Sequence, residues 1–273
     1  MKKKGMIYLL LFICCLQGAA QKTGLQSTSM KYGENLIYDA KFKWGLMMMR
    51  AGEASFTYKP DRSINGAISQ LQLCYKSVGF FDGFFKMRDT LTGYYNENNR
   101  LIYGVRRAHE GSYKEVEEQK FNYEAGKTTI HSLRYTPTRV KVDTTLTTVG
   151  EVSDMLSVFY YLRGWNRRLL QHGDVFPIIV AVGRDLVKVQ FIYQNQSIIE
   201  YDNAKFNTHY FKIDIFDDAF ESTKTSAEIW IGDDDNFFPI KLRTKLKLGY
   251  VEIYYKSSSG LAHPLSCRIE MKK

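Results

Sequence analysis

Two arginines and three carboxylates carry the groups best suited to recognise or transform a ligand. Arg88 and Arg163 offer planar guanidinium forks that pair phosphate or carboxylate through two parallel N–H donors. In a structural role they would instead form ion pairs, with Asp89 or Asp154 among the partners. Asp89, Glu110 and Asp154 also supply candidate carboxylate pairs. A glycan hydrolase needs two such groups about 5 to 9 Å apart across a groove. Lys241, Arg243, Lys245 and Lys247 alternate along one segment and would line one face of a strand. That stripe suits lipopolysaccharide, an acidic glycan or phospholipid head groups, and it is also what an ordinary solvated outer face looks like. Asp233-Asp234-Asp235-Asn236 bears oxygen donors but lacks the spacing and distal Glu of a calcium-binding EF-hand loop, so it reads as a hairpin turn.

Other chemistry is thinly represented. The five histidines stand singly, and no HExxH or Cys pair falls at metal-ligand spacing. No GxSxG elbow, P-loop or GxGxxG fingerprint occurs. The expectation is a protein with no catalytic residues, metal or cofactor.

The elements that must position these groups are mostly strands. The chain has 273 residues, 44% hydrophobic and 25% charged, with 19 Tyr, 17 Phe and five Pro, which excludes a disordered or collagen-like protein and favours β-structure. Leu36, Tyr38, Ala40, Phe42 and Trp44 alternate with Asn35, Asp39, Lys41 and Lys43, the period of a half-buried antiparallel strand. Similar alternation recurs at Ala54–Tyr58, Leu71–Tyr75, Val187–Tyr193, Phe211–Ile215 and Ile240–Leu248, with turn signals between. Over Glu151–Gln171 the apolar positions Val152, Met155, Leu156, Phe159 and Leu162 take helical spacing instead, with Ser153 or Asp154 able to cap the start and Gly164 to interrupt or end it. The predicted fold is a large curved antiparallel sheet, or an open or half barrel, with one central amphipathic helix at about 151–171.

Lys2-Lys3-Lys4, the apolar run Met6–Leu16 and Gly18-Ala19-Ala20 read as a secretory signal peptide over residues 1–20, leaving a single exported domain over 21–273. The apolar run falls short of the ~20 residues of a spanning helix, and no later segment suggests one. Cleavage would remove Cys14 and Cys15. Cys74 and Cys267 remain, in a compartment where a disulfide between them could persist and where two buried thiols are the alternative. The expected location is the periplasm, with association to the inner face of the outer membrane, and nucleic acid is not an expected partner.

Two apolar stretches read as loops: Met47-Met48-Met49 after Gly45, and Phe80, Phe81, Phe84 and Phe85 around Asp82-Gly83. Pliable Met and clustered Phe suit an adaptable contact with an acyl chain, a membrane surface or a protein, and core filling serves equally well.

Four stretches resemble a family of exported bacterial proteins known as Domain of Unknown Function 3108. They are Tyr32–Tyr38 with Trp44 and Gly52; Lys86–Asp89 with Glu110–Tyr113; Asp154–Arg163; and Trp230-Ile231 through Asp234, Pro239-Ile240 and Gly249. The resemblance implies a mostly-β fold like that of YmcC, an exported lipoprotein associated with capsule polysaccharide export, and implies no activity. The Trp230–Lys241 hairpin is also similar to one in the LolA and LolB lipoprotein carriers, whose concave apolar faces hold acyl chains.

The combined expectation is a non-enzymatic binding or assembly factor for an envelope lipid or glycolipid. Leu36, Phe42 and Trp44 would line its apolar face, and Arg88 and Arg163 would meet an anionic head group. The alternatives are a structural or interaction component of an envelope or polysaccharide export machine, and a glycan hydrolase using two of Asp89, Glu110 and Asp154.

Overall fold

The computed structural model describes residues 29–84, 86–216, 227–245 and 249–269. The expected leader, residues 1–20, lies outside them, as do Phe85, Lys247 and the side chain of Trp44. The first eight strands form an up-and-down series: β1 Glu34–Trp44, β2 Met47–Pro60, β3 Ser69–Ser77, β4 Arg88–Tyr95, β5 Leu101–Glu110, β6 Tyr113–Glu124, β7 Lys127–Thr136 and β8 Arg139–Val149. A short helix, α1 Gly79–Phe84, separates β3 from β4. After α2, Ser157–Leu162, a second series follows: β9 Val175–Val182, β10 Asp185–Tyr201, β11 Ala204–Phe216, β12 Ala227–Gly232, β13 Pro239–Lys245, β14 Tyr250–Ser259 and β15 Arg268–Ile269.

Both series belong to one antiparallel sheet. Its order runs β8 back to β1, then β14 back to β9, with β15 paired to β11. The joint is the β1–β14 pair, in which Leu36 faces Ser258 and Phe42 faces Val251. Tight turns set the register: Ala125-Gly126 and Asp202-Asn203 both hold positive φ at two successive residues, the backbone twist that two-residue hairpins require.

The sheet stays open because β8 and β9, its two free edges, do not pair with each other. Instead the chain leaving β8 runs alongside β9: Ser153 N–H donates to Ile179 O (2.9 Å), and Ala181 N–H donates to Ser153 O (2.8 Å). Side chains of β6 hold the same edge, with Gln119 Nε2 donating to Ala181 O (3.2 Å) and Gly183 N–H donating to Glu117 Oε1 (2.8 Å). At β8, Arg139, Lys141, Asp143 and flanking threonines keep the other edge polar, which discourages further pairing.

The predicted helix over 151–171 is shorter than its apolar spacing suggests. Only Ser157–Leu162 is α-helical, and a single 3-10 turn, Arg167–Leu169, follows with Asn166 Oδ1 accepting from Arg168 N–H. Edge pairing of Ser153 with β9 takes the first residues out of the helix. Four of the five apolar positions still pack inward and Met155 is exposed: Leu156 is buried in one core cluster with Leu36, Phe56, Leu71 and Ile130, and Leu162 in a second with Trp165, Phe191, Phe211 and Ile231. Each such leucine contributes about 1.5–3 kcal/mol of burial. The α2 segment therefore joins the two halves of the inner face.

Candidate functional site

Alternation along β1–β3, β13 and β14 puts Leu36, Tyr38, Phe56, Leu73, Leu242 and Ile253 on the inner face, opposite Phe159 of α2. These side chains do not close completely and leave an apolar cavity of about 50 Å³. Two larger cavities meet the same α2 segment. One, of about 430 Å³, is walled by Tyr95, Tyr123, Tyr160, Ile178 and the Arg100–Glu151 ion pair (3.1 Å). The other, of about 360 Å³, is walled by Trp165, Arg167, Arg168, Asp235 and His263. The apolar slot and the second of these, whose walls are mainly polar, share Arg163.

Of the two readings of Arg163, head-group contact or structural ion pair, the structure has the ion pair, with Glu34 rather than Asp89 or Asp154 as partner. The Arg163 side chain is 2% exposed and that of Glu34 0%. Arg163 Nη1 donates to Glu34 Oε1, Nη2 to Glu34 Oε2 (3.0 Å) and to Ser29 O, and Nε to Asn236 O (2.8 Å). The strand start, the β12–β13 turn and the segment before β1 are thereby tied to the end of α2. Glu34 shares the parity of Leu36 and Tyr38, a signal in the sequence that places a carboxylate on the core face, where burial is costly unless a cation or hydrogen-bond donors compensate it.

Asp154 is a helix-start acceptor. Its Oδ1 takes N–H bonds from Leu156 (3.1 Å) and Ser157 (2.6 Å), so it performs the predicted capping role three residues before Ser157, the first α-helical residue. The carboxyl turns inward against Gly104, where an added Cβ would lie 2.7 Å from Oδ2. Burial raises its pKa, and the Ser157 and Leu156 hydrogen bonds oppose that shift.

Arg88 and Asp89 point to different sites although adjacent. Arg88 Nη1 pairs with Asp82 Oδ1 (2.6 Å), which also accepts from Ser77 Oγ (2.7 Å). The Arg88 and Ser77 bonds hold the Asp82 carboxyl at about 2. The pair fastens α1 to the sheet. Asp89 accepts from His109 N–H (2.9 Å) and lies 3.6 Å from Arg106 Nη2, which also reaches Glu110 (3.3 Å). Two of the three predicted carboxylates thus meet at one guanidinium. Glu115 joins them, 3.7 Å from Arg106 and 2.7 Å from Lys141. Burial would raise the Glu115 pKa, yet the Lys141 and Tyr113 hydrogen bonds leave it lowered.

The two predicted apolar loops are regular elements. Met47–Met49 begin β2, with Met49 opposite Phe42 and Met47 opposite Trp44, and Phe80–Phe84 belong to α1. Phe80 is 75% exposed and Phe84 84%, Met47 and Met48 are also exposed, and Phe81 packs edge-on against Phe42 (6.1 Å). Phe85 lies outside the described residues. Surface display rather than core filling is the outcome for this stretch.

Of the two alternatives for Cys74 and Cys267, a bridge or two thiols, the structure has two free thiols, half-buried and buried respectively. Cys267 lies beside Gly232 and Asp234, whereas Cys74 is on β3 opposite Ser55 and Thr90. Two residues of the basic stripe, Lys241 and Arg243, are neutralised. Lys241 sits over Trp230 and Tyr254 and 3.5 Å from Glu252, and Arg243 lies 3.5 Å from both Glu228 and Glu252. Asp234 accepts from Asn236 N–H (2.9 Å), Asp235 pairs with Arg167 (2.6 Å), and Asp233 with His209 (3.0 Å), so the acidic turn is internally satisfied. Among the described residues, no group of three or more His, Cys, Asp or Glu could hold a metal, and no helix is long and apolar enough to cross a membrane.

The fold has a structural counterpart. A beta-barrel-like protein of Domain of Unknown Function DUF1849 from Brucella abortus is similar over 83% of this chain and 96% of its own, with a TM-score of 0.57 and 11% sequence identity. At that identity the likeness speaks for the fold alone. Among curated proteins, none matches this sequence. The sequence model described as "Protein of unknown function (DUF3108)" matches residues 37–256, and the chain belongs to that family.

Proposed function

We propose that the chain is a non-enzymatic, exported binding or assembly factor for an amphiphile of the cell envelope, a lipid or glycolipid. One observation carries this reading: the inner face of an open sheet is apolar yet incompletely filled, and its slot shares Arg163 with a larger, mainly polar cavity at the end of α2. An apolar chain gains from leaving water in such a slot, and a polar head fits the arginine and carboxylate walls of that cavity. As it stands the slot holds only a few carbon atoms, since one water occupies ~30 Å³. A longer chain requires Phe159, which packs against Phe56 (6.1 Å), to move aside.

Native mass spectrometry of protein purified gently from a periplasm tests the proposal. The expected result is a stoichiometric amphiphile adduct, increased by Phe159→Ala and reduced severalfold by Leu73→Trp, which fills the slot. A polypeptide mass without adduct, unchanged after incubation with envelope lipid extract, overturns it.

A further inference from the structure

The end of the sheet carrying the β1–β2 turn presents large apolar side chains to water from two independent elements. Leu46 is fully exposed in the turn, and Met47 and Met48 follow it on β2. Phe80 and Phe84 project from α1 with parallel rings 6.4 Å apart. The patch is built rather than frayed. Arg88 and Ser77 grip Asp82, Val78 N–H donates to Ala51 O (3.1 Å), and Phe81 packs on Phe42, whose neighbour across the strand pair is Met49.

Charge is distributed to match. Along the outer face the register sets Met48 beside Lys43, Lys43 beside Tyr250, and Tyr250 beside Lys245. Further from the tip the cations are neutralised: Arg50 by Asp39 (2.6 Å), and Arg243 by Glu228 and Glu252. At the tip Lys43, Lys86 and Lys245 have no carboxylate within 4 Å among the described residues, and the one acid of α1, Asp82, is held by Arg88.

We propose that this tip docks on a bilayer surface bearing anionic head groups. Leu46, Met47, Phe80 and Phe84 enter below the phosphates, and Lys43, Lys86 and Lys245 lie at phosphate level. Protruding apolar side chains flanked by lysines that form no ion pair among the described residues fit an anionic lipid interface better than the flat, internally paired rim of a protein contact. The inference stands whether or not the inner slot holds an amphiphile.

Flotation with phosphatidylcholine vesicles, with and without phosphatidylglycerol, tests it. The wild type is expected to float with the phosphatidylglycerol vesicles, less so at high salt because exposed charges are screened. The triple variant Leu46→Ser, Phe80→Ser, Phe84→Ser is expected to lose binding by roughly tenfold or more, as several exposed apolar anchors would supply at membrane contact. Lys43→Glu with Lys86→Glu should weaken binding and flatten its salt dependence. Both variants should keep the wild-type circular dichroism spectrum, because the altered side chains pack little against the core. Leu73→Trp, altered only in the inner slot, should float as wild type does, which separates docking from lipid extraction. The proposal is overturned if the wild type does not float, if the triple variant floats equally well, or if flotation depends on Leu73. It is also overturned if sedimentation velocity shows a wild-type dimer that the triple variant abolishes.

Discussion

Arg163 and Glu34, 129 residues apart in sequence, form an ion pair from which water is excluded on both sides. The pair joins the end of α2 to the first residue of β1, and Arg163 adds backbone acceptors at Ser29 and Asn236.

Removing one partner leaves a buried, uncompensated charge. Glu34→Gln or Arg163→Met is expected to lower unfolding stability by about 3–5 kcal/mol, whereas Glu34→Leu combined with Arg163→Met should recover much of that loss. Urea denaturation of the three variants measures it. Single variants within about 1 kcal/mol of wild type would show that the pair is not a clamp.

The Asp82–Arg88 contact has a defined pH window. The folded carboxyl titrates at about 2, below the ~3.9 of an unfolded aspartate. Its contribution to holding α1 is therefore complete above the unfolded value and disappears as pH falls through about 2. Arg88→Ala should return Asp82 toward the ordinary carboxylate range. Carboxyl-carbon NMR titration reads both, and an unshifted Asp82 in the wild type would refute the contact.

Asp154 behaves in the opposite sense. Its folded pKa is raised by burial, so its charged form penalises the fold progressively as pH rises from the ordinary aspartate range through the raised value. Asp154→Asn retains an acceptor for Leu156 and Ser157 and should remove that pH dependence. Asp154→Ala loses the acceptor and should cost about 1 kcal/mol. Thermal melts across a pH series rising from the ordinary aspartate range distinguish the two, and an alanine variant as stable as wild type would count against the helix-start role.

The cysteines offer a compact check on the packing. Burial, reinforced by Asp234, pushes the Cys267 thiol up, and Cys74 is half-buried on a different strand. A thiol reagent is expected to label Cys74 slowly in the native protein and Cys267 only after unfolding. Intact mass should be unchanged by reductant. A two-proton mass difference on reduction would place the two sulfurs together and contradict this arrangement.

Much of the architecture follows from local pattern. Period-two alternation is enough to make β1 a strand and to choose its inner face, because a one-residue slip would turn Leu36, Tyr38 and Phe42 outward. The same parity puts Glu34 inside, so the need for a compensating partner is written in the sequence, but not which partner: that is set when the chain after β8 crosses the inner face and delivers Arg163. Helical spacing over 151–171 correctly identifies Leu156 and Leu162 as buried. It cannot foresee that the open edge of β9 captures Ser153 and shortens the helix, since backbone groups at a free edge outbid local propensity. The meeting of Asp89 with Glu110 at Arg106, the separation of Cys74 from Cys267 and the outward display of Phe80 and Phe84 were likewise decided by tertiary structure. Each depends on how far the sheet curves and which strands become neighbours, quantities set by long-range pairing rather than by any residue's immediate surroundings.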